Sequence, residues 1–307
     1  MFFALILITL ILGSFYFYSY APGDPVELEV LKEETIYKED IDYGDTPVFL
    51  DNLRFREKEI SYYIDFSCSR KRQNSMIDAF EIFEQEVGIL SFFEVFNKES
   101  AKIFIHCSKE EIEISDTLFA AGEGGPSKII NTSYFNIIEE GKILLYKDQK
   151  CENPVVEIHE LGHVLGFNHS EDPENVMYPV SRCEQKIMPD MKKAIEQIYH
   201  VPSISDGYIE ELSAVKRGSR IDFNITITNI GLDKIENMSL DLIYNGKSFE
   251  TFYLEEIGVG YGRTLTATNV RLPSRNVDVI DFVLDKENLI QEINEDNNLK
   301  TTYISPK

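Results

Sequence analysis

The sequence predicts an α+β domain followed by an all-β sandwich, with a hydrophobic helix ahead of both, and three patterns carry that prediction. Residues 2 to 20 contain no charged side chain. From about residue 52 to 201, short β-type runs alternate with stretches of helical periodicity. Beyond Val201-Pro202 only the two-residue alternation of half-buried strands remains. The boundaries follow: 1–21 a membrane anchor or signal peptide, 22–51 a linker or short pro-segment, 52–201 the α+β domain, 202–307 the sandwich. At 307 residues the chain holds two domains of ordinary size, and an apolar fraction of 43% suits one that buries a core.

Each element has its own warrant. The run 2–20 is long enough to span a bilayer as one helix, and its Tyr/Phe-rich end suits the interface. Ser19-Tyr20-Ala21 offers the small residues a signal peptidase needs, but Pro22 follows at once and no Lys or Arg precedes the run. An uncleaved anchor is therefore the favoured reading and a secreted chain its rival; both place the remainder outside the membrane. Residues 22–51 are acidic, rich in turn formers and without periodicity. Ile60–Phe66 reads as a strand, and Met76, Phe80, Phe83 and Val87 mark the buried stripe of a helix over about 70–87. Ala101–Cys107 is a short buried strand in which His106 is a packed histidine rather than a ligand. Ala121–Pro126 reads as a loop and lacks the strand-before, helix-after setting of a phosphate cradle. Gly141–Tyr146 is a further strand. A helix starts near Asn153-Pro154, a cap followed by proline, and runs to Gly166, a residue suited to a left-handed stop. Another spans about 189–200. In the sandwich, Ile221, Phe223, Ile225 and Ile227 alternate, as do Met238, Leu240, Leu242 and Tyr244 ahead of an Asn245-Gly246 hairpin, and Phe282 with Leu284.

The formal charge of −23, from 53 acidic and 30 basic residues, excludes a nucleic-acid partner, because phosphate binding needs a basic footprint. It also argues against docking on anionic lipid. Cys68, Cys107, Cys151 and Cys183 are even in number and allow three connectivities of two disulfides. Cys151 and Cys183 bracket the motif described next and are expected to pair. Asn131, Asn224 and Asn237 open N-x-Ser/Thr sequons, in keeping with export.

His159-Glu160-Leu161-Gly162-His163-Val164-Leu165-Gly166-Phe167-Asn168-His169 carries the chemistry. Histidines four apart share a helix face, one turn from each other, and can chelate one ion. Ile158, Leu161 and Leu165 fall on the opposite side and anchor the helix. Gly166 lets the chain turn sharply and bring His169 back as third ligand. Three protein ligands leave a fourth position open, which is the arrangement of a catalytic zinc ion. Glu160, beside the ligand face, is placed to act as general base towards a zinc-bound water in amide hydrolysis. Three of the chain's five histidines lie within these eleven residues, so an incidental polar helix face is a poor account of them.

The extended motif H-E-x-x-H-x-x-G-x-x-H resembles the signature of the metzincin metalloproteases. Ser170 follows the third histidine as in the matrixin branch. Asn175-Val176-Met177-Tyr178-Pro179 is similar to the matrixin Met-turn, and Ile187–Tyr199 to the closing helix of that domain. The resemblance covers roughly 52–201 and implies a twisted mixed sheet with three helices. It implies that Met177 forms an apolar floor under the metal without binding it, and that 141–147 is the edge strand on which an extended peptide pairs. Two features depart from the family: no cysteine precedes Cys68, so the thiol latency switch is absent, and the additional calcium and zinc sites of matrixins are not recognisable. The C-terminal stretch resembles the CARDB family of extracellular immunoglobulin-like β-sandwiches, through its strand pattern and Ile293-Asn-Glu-Asp-Asn-Asn298 ahead of a last strand.

Together these readings predict an extracytoplasmic zinc endopeptidase at the cell surface, with one zinc ion on His159, His163 and His169. Its partners would be a peptide or protein substrate, the membrane through the N-terminal helix, and a surface partner through the sandwich. The alternative is a surface adhesion protein whose metalloprotease-like domain is inactive.

Overall fold

The computed structural model describes residues 25–31, 41–109, 113–115, 118–119, 121–146 and 151–303. The hydrophobic run at 2–20 lies outside the described residues. Among the described residues no helix is long and apolar enough to cross a membrane. The described residues form two compact units, one of residues 41–203 and a second comprising 25–31 with 204–303.

The first strand, β1 (Pro25–Val30), belongs to the second unit. The first unit then runs β2 (Leu53–Phe55), β3 (Glu59–Ile64), α1 (Arg70–Val87), β4 (Ser91–Glu94), β5 (Ile103–Cys107), the small hairpin β6 (Glu113–Ser115) and β7 (Leu118–Phe119), β8 (Gly122–Asn131), β9 (Asn136–Leu145), α2 (Val155–Val164) and α3 (Pro189–Ile198). Its sheet has the order β2-β9-β5-β3-β4 with all neighbours parallel. Strand β8 adds antiparallel to β9 along its whole length, from Gly122↔Leu145 to Asn131↔Asn136. Because β2 and β5 occupy the other edge of β9, the border of the sheet on this side is β8. Strand β9 is therefore interior, and the expected edge strand at 141–147 is not the edge. The Gly-rich segment 121–126, expected as a loop, is mostly strand for the same reason.

The helix stripe Met76, Phe80, Phe83 and Val87 is buried as its spacing requires, against Ile103, Ile105, Ile143 and Leu145 of the sheet. The Ser69 hydroxyl caps α1 by accepting from the Arg72 N–H, and Cys68–Cys107 ties its entry to the end of β5. Helix α2 is buried along all ten residues. It begins one residue later than expected, with Pro154 at the cap position and no side-chain cap from Asn153. Arg54 on β2 is 1% exposed and donates to the Ile198 and Val201 carbonyls at 2.9 and 2.8 Å, satisfying the end of α3. Cys151 and Cys183 pair, as their positions around the motif suggest.

The second unit is a β-sandwich of β1, β10 (Gly207–Arg217), β11 (Arg220–Asn229), β12 (Ser239–Tyr244), β13 (Lys247–Tyr253), β14 (Gly262–Arg271), β15 (Val279–Leu284) and β16 (Leu299–Tyr303). The strand path is β13-β12-β15-β16-β1-β10-β11-β14, antiparallel throughout. The alternating residues Ile221, Phe223, Ile225, Ile227, Leu240, Leu242, Phe282 and Leu284 form its core. Asn245 and Gly246 both take positive φ, 49° and 74°, the turn a two-residue hairpin demands. Strand β1 pairs through Pro25–Leu28 with β10 and through Glu29–Val30 with β16, so part of the 22–51 segment is a sandwich strand rather than a linker. The described end of that segment docks on the first unit, where the Asn168 N–H donates to Pro47 O and the Phe49 N–H to Gly166 O.

Candidate metal centre

Two residues of α2, His159 and His163, face the same way one turn apart, and the end of the helix delivers the third histidine. The Gly166 N–H bonds to His163 O and the Phe167 N–H to Gly162 O, the paired bonds of a Schellman stop. Gly166 sits at φ 103°, a conformation that side-chain-bearing residues avoid. The chain doubles back, and His169 comes to lie over the helix face it has just left. One nitrogen from each of His159, His163 and His169 lies within 4.8 Å of the others. The Nε2 atoms of His163 and His169 are 3.2 Å apart. Two nitrogens on one tetrahedral zinc ion lie about 3.3 Å apart, so the spacing fits such an ion.

The tautomers fit as well. The Nδ1–H of His159 donates to Val176 O at 2.7 Å and that of His163 to Phe167 O at 2.8 Å. This leaves Nε2 of each ring unprotonated and aimed at the common point, as metal ligands require. Burial pushes the His159 imidazole down to about 4 and lowers His163 and His169 too, so the rings are neutral near pH 7. An all-nitrogen set of three neutral imidazoles suits zinc.

Glu160 is 5% exposed and packs against the border strand β8. A Cβ on Gly122 would come within 2.8 Å of its Oε1, and one on Gly124 within 2.2 Å of its backbone oxygen. The strand and helix meet there only because both residues lack side chains. The Gly124 N–H bonds to the carboxylate, while burial, and then the charges of Glu123 and Glu157, push its pKa up to about 8. Met177 is fully buried, and its Sδ packs so closely on α2 that a Cβ on Gly162 would lie 2.4 Å from it. The Asn175 side chain shapes that turn, accepting from the Met177 N–H and donating to Thr46 Oγ1, both at 2.8 Å. The Phe49 ring lies 5.7 Å from that of His163.

The structure thus brings together all three histidines of the motif, with Glu160 beside them. His106, expected as a packed histidine, is exposed instead, because it lies on the outward face of β5, and it stands apart against Ser67 Oγ at 3.0 Å and Asp65 at 3.6 Å. Sequence reasoning missed Gly122, Gly124 and Phe49, which reach the centre from distant positions in the chain. A groove of about 850 Å³ over β5, β8 and β9 is lined by Lys98, Lys102, Phe104 and Lys142 and by none of the three histidines. Its size does not make it the chemical centre, since it gathers no comparable donor set.

Two family models match the chain in the order of these two units. The matrixin family model matches residues 54–200 and the CARDB model residues 207–302. No curated protein matches the chain. Among solved structures, a domain of a cell surface protein from Methanosarcina acetivorans is 17% identical, covering 34% of this chain and 94% of that one at a TM-score of 0.28. The CARDB domain of a Pyrococcus furiosus protein, solved in complex with di-metal ions, is 16% identical, covering 33% and 88% at a TM-score of 0.25. The three-histidine cluster could hold a metal, and the chain joins a segment that matches the matrixin model, 54–200, to one that matches the CARDB model, 207–302.

Proposed function

We propose that the protein is an extracytoplasmic zinc-dependent endopeptidase. The observation that carries this is the convergence of three neutral imidazoles with a buried carboxylate one residue along the same helix. His159, His163 and His169 would hold the ion through Nε2. A zinc ion there supplies a Lewis acid that acidifies water and polarises an amide carbonyl. Glu160 takes a proton on its carboxylate as water attacks and returns it to the leaving amine. The Gly124 N–H orients that carboxylate. Strand β8 borders the sheet beside Glu160, and an extended peptide is placed along it in this reading. The uncharged run at 2–20 anchors the chain in this reading, and the CARDB segment presents it at the cell surface.

The test is Glu160→Gln in the full chain. One zinc per chain should remain bound, while cleavage of a mixed peptide library falls by about 10²–10⁴-fold. His159→Ala should lose the metal itself. Undiminished cleavage by Glu160→Gln, or wild-type protein without a stoichiometric transition metal, would overturn the reading. Zinc-loaded protein that cleaves no peptide yet binds a surface partner would point instead to an inactive adhesion protein.

A further inference from the structure

We infer that Asp190 is a positioning residue for the metal centre, acting on His159 through Thr46, Asn175 and one peptide group. The inference rests on His159 being a metal ligand and goes beyond it, because neither Asp190 nor Thr46 belongs to the histidine motif. Thr46 lies in the segment 22–51, expected from the sequence as a linker or short pro-segment.

Four hydrogen bonds join these groups end to end. The Nδ1–H of His159 donates to Val176 O at 2.7 Å. That carbonyl shares its peptide group with the Met177 N–H, which donates to Asn175 Oδ1 at 2.8 Å. At the other end of the same amide, Asn175 Nδ2 donates to Thr46 Oγ1 at 2.8 Å. The Thr46 hydroxyl donates in turn to Asp190 Oδ2 at 2.9 Å. A hydroxyl has one proton, and giving it to Asp190 leaves Thr46 an acceptor towards Asn175. Every link therefore points the same way, from the imidazole to the carboxylate.

The setting favours transmission along this chain. Thr46 and Asn175 are 0% and 2% exposed, and Val176, Met177 and His159 are buried as well, so water does not compete for the links. Aligned hydroxyl and amide dipoles polarise one another, and the terminal bond to a carboxylate is charge-assisted. A metal-bound imidazole is oriented and made more basic when its second N–H meets a carboxylate. Here the carboxylate acts at a distance, through two side chains and a peptide. Asp190 is itself held in the first turn of α3, where its Oδ2 also accepts from the Asp45 N–H at 3.0 Å and its Oδ1 from the Met191 N–H at 2.8 Å. His163 supplies the contrast within the same centre. Its Nδ1–H donates to Phe167 O at 2.8 Å. The N–H of that peptide group, from Asn168, donates to Pro47 O, so this second chain ends on a neutral carbonyl.

The test uses the full chain, isotopically labelled at its histidine nitrogens and loaded with zinc alone, and follows the Nδ1-bound protons of His159 and His163 by NMR. Asp190→Asn keeps an acceptor for Thr46 and removes the charge, whereas Thr46→Val keeps the shape and removes the hydroxyl. Both should shift the His159 proton to higher field and leave that of His163 in place. Thr46→Ser, which restores the hydroxyl, should return the wild-type position. Zinc affinity, measured by competition with a chromophoric chelator, should fall by about tenfold in Thr46→Val and recover in Thr46→Ser. If Thr46→Val does not fold, Asp190→Asn decides the matter alone, at a partly exposed position. An unmoved His159 proton in Asp190→Asn, equal movement of both rings, or a serine variant no closer to wild type would overturn the assignment and leave these residues as packing. A wild-type chain that takes up no zinc would overturn the metal centre itself, and this inference with it; the two failures are told apart before any variant is made.

Discussion

Gly124 lies where a methyl group would come within 2.2 Å of the Glu160 backbone oxygen, and that single hydrogen sets the distance between β8 and α2. Gly124→Ala must push the strand off the helix, and with it the N–H that orients the Glu160 carboxylate. Overpacking of this kind costs about 1–3 kcal/mol. The expected outcome is a fall in turnover of at least about tenfold with one zinc per chain still bound, measured by steady-state kinetics beside metal analysis. A variant with wild-type turnover would show that β8 does not position the base. The contrast with the histidines shows what is legible at this scale. His159 and His163 can be placed from the chain alone, because the helix repeat fixes their separation. Gly124 and Phe49 cannot, because only the fold brings them to the site.

At the scale of elements, the stop after α2 decides where His169 goes. Gly166 holds φ 103° and packs against Leu53, where a Cβ would meet Cδ2 at 2.8 Å. Gly166→Ala therefore carries a backbone cost of about 1–2 kcal/mol besides a clash. Relief comes by opening the turn, which draws His169 away from the other two rings. Zinc affinity should fall by at least about tenfold, read by competition with a chromophoric chelator, and more steeply than helix content seen by circular dichroism. Unaltered affinity would show that His169 does not depend on this turn. The helix and its glycine stop were readable from spacing and residue type. The identity of the border strand was not, since Gly122-Glu-Gly-Gly-Pro126 lacks β-formers and becomes a strand only by pairing with residues up to twenty-three positions later. Strand β1 was half visible: Val26, Leu28 and Val30 alternate with Glu27 and Glu29, but the alternation is only five residues long and sits in an acidic run.

For the whole molecule, the net charge of −23 says little, whereas the placement of two acids says more. The sandwich core was legible from period-two alternation, but the burial of Asp206 and Glu292 was not, because the segments carrying them meet only when β10 and β16 close the sandwich. Burial pushes both carboxyls up to about 7, against ordinary values of 3.8 and 4.5; their hydrogen bonds oppose the shift without cancelling it, and the charge of neighbouring Glu295 adds to it. A folded-state pKa above the unfolded one means that the folded chain binds more protons between those values, so stability falls as pH rises through that window. The sandwich transition should therefore move to lower temperature from about pH 5 to about pH 8, followed by calorimetry across the series. The Asp206→Asn, Glu292→Gln variant should flatten that dependence, since it removes both titrating groups while keeping their shapes. A slope that persists in the variant would place the titration elsewhere in the unit and detach the pH response from these two residues.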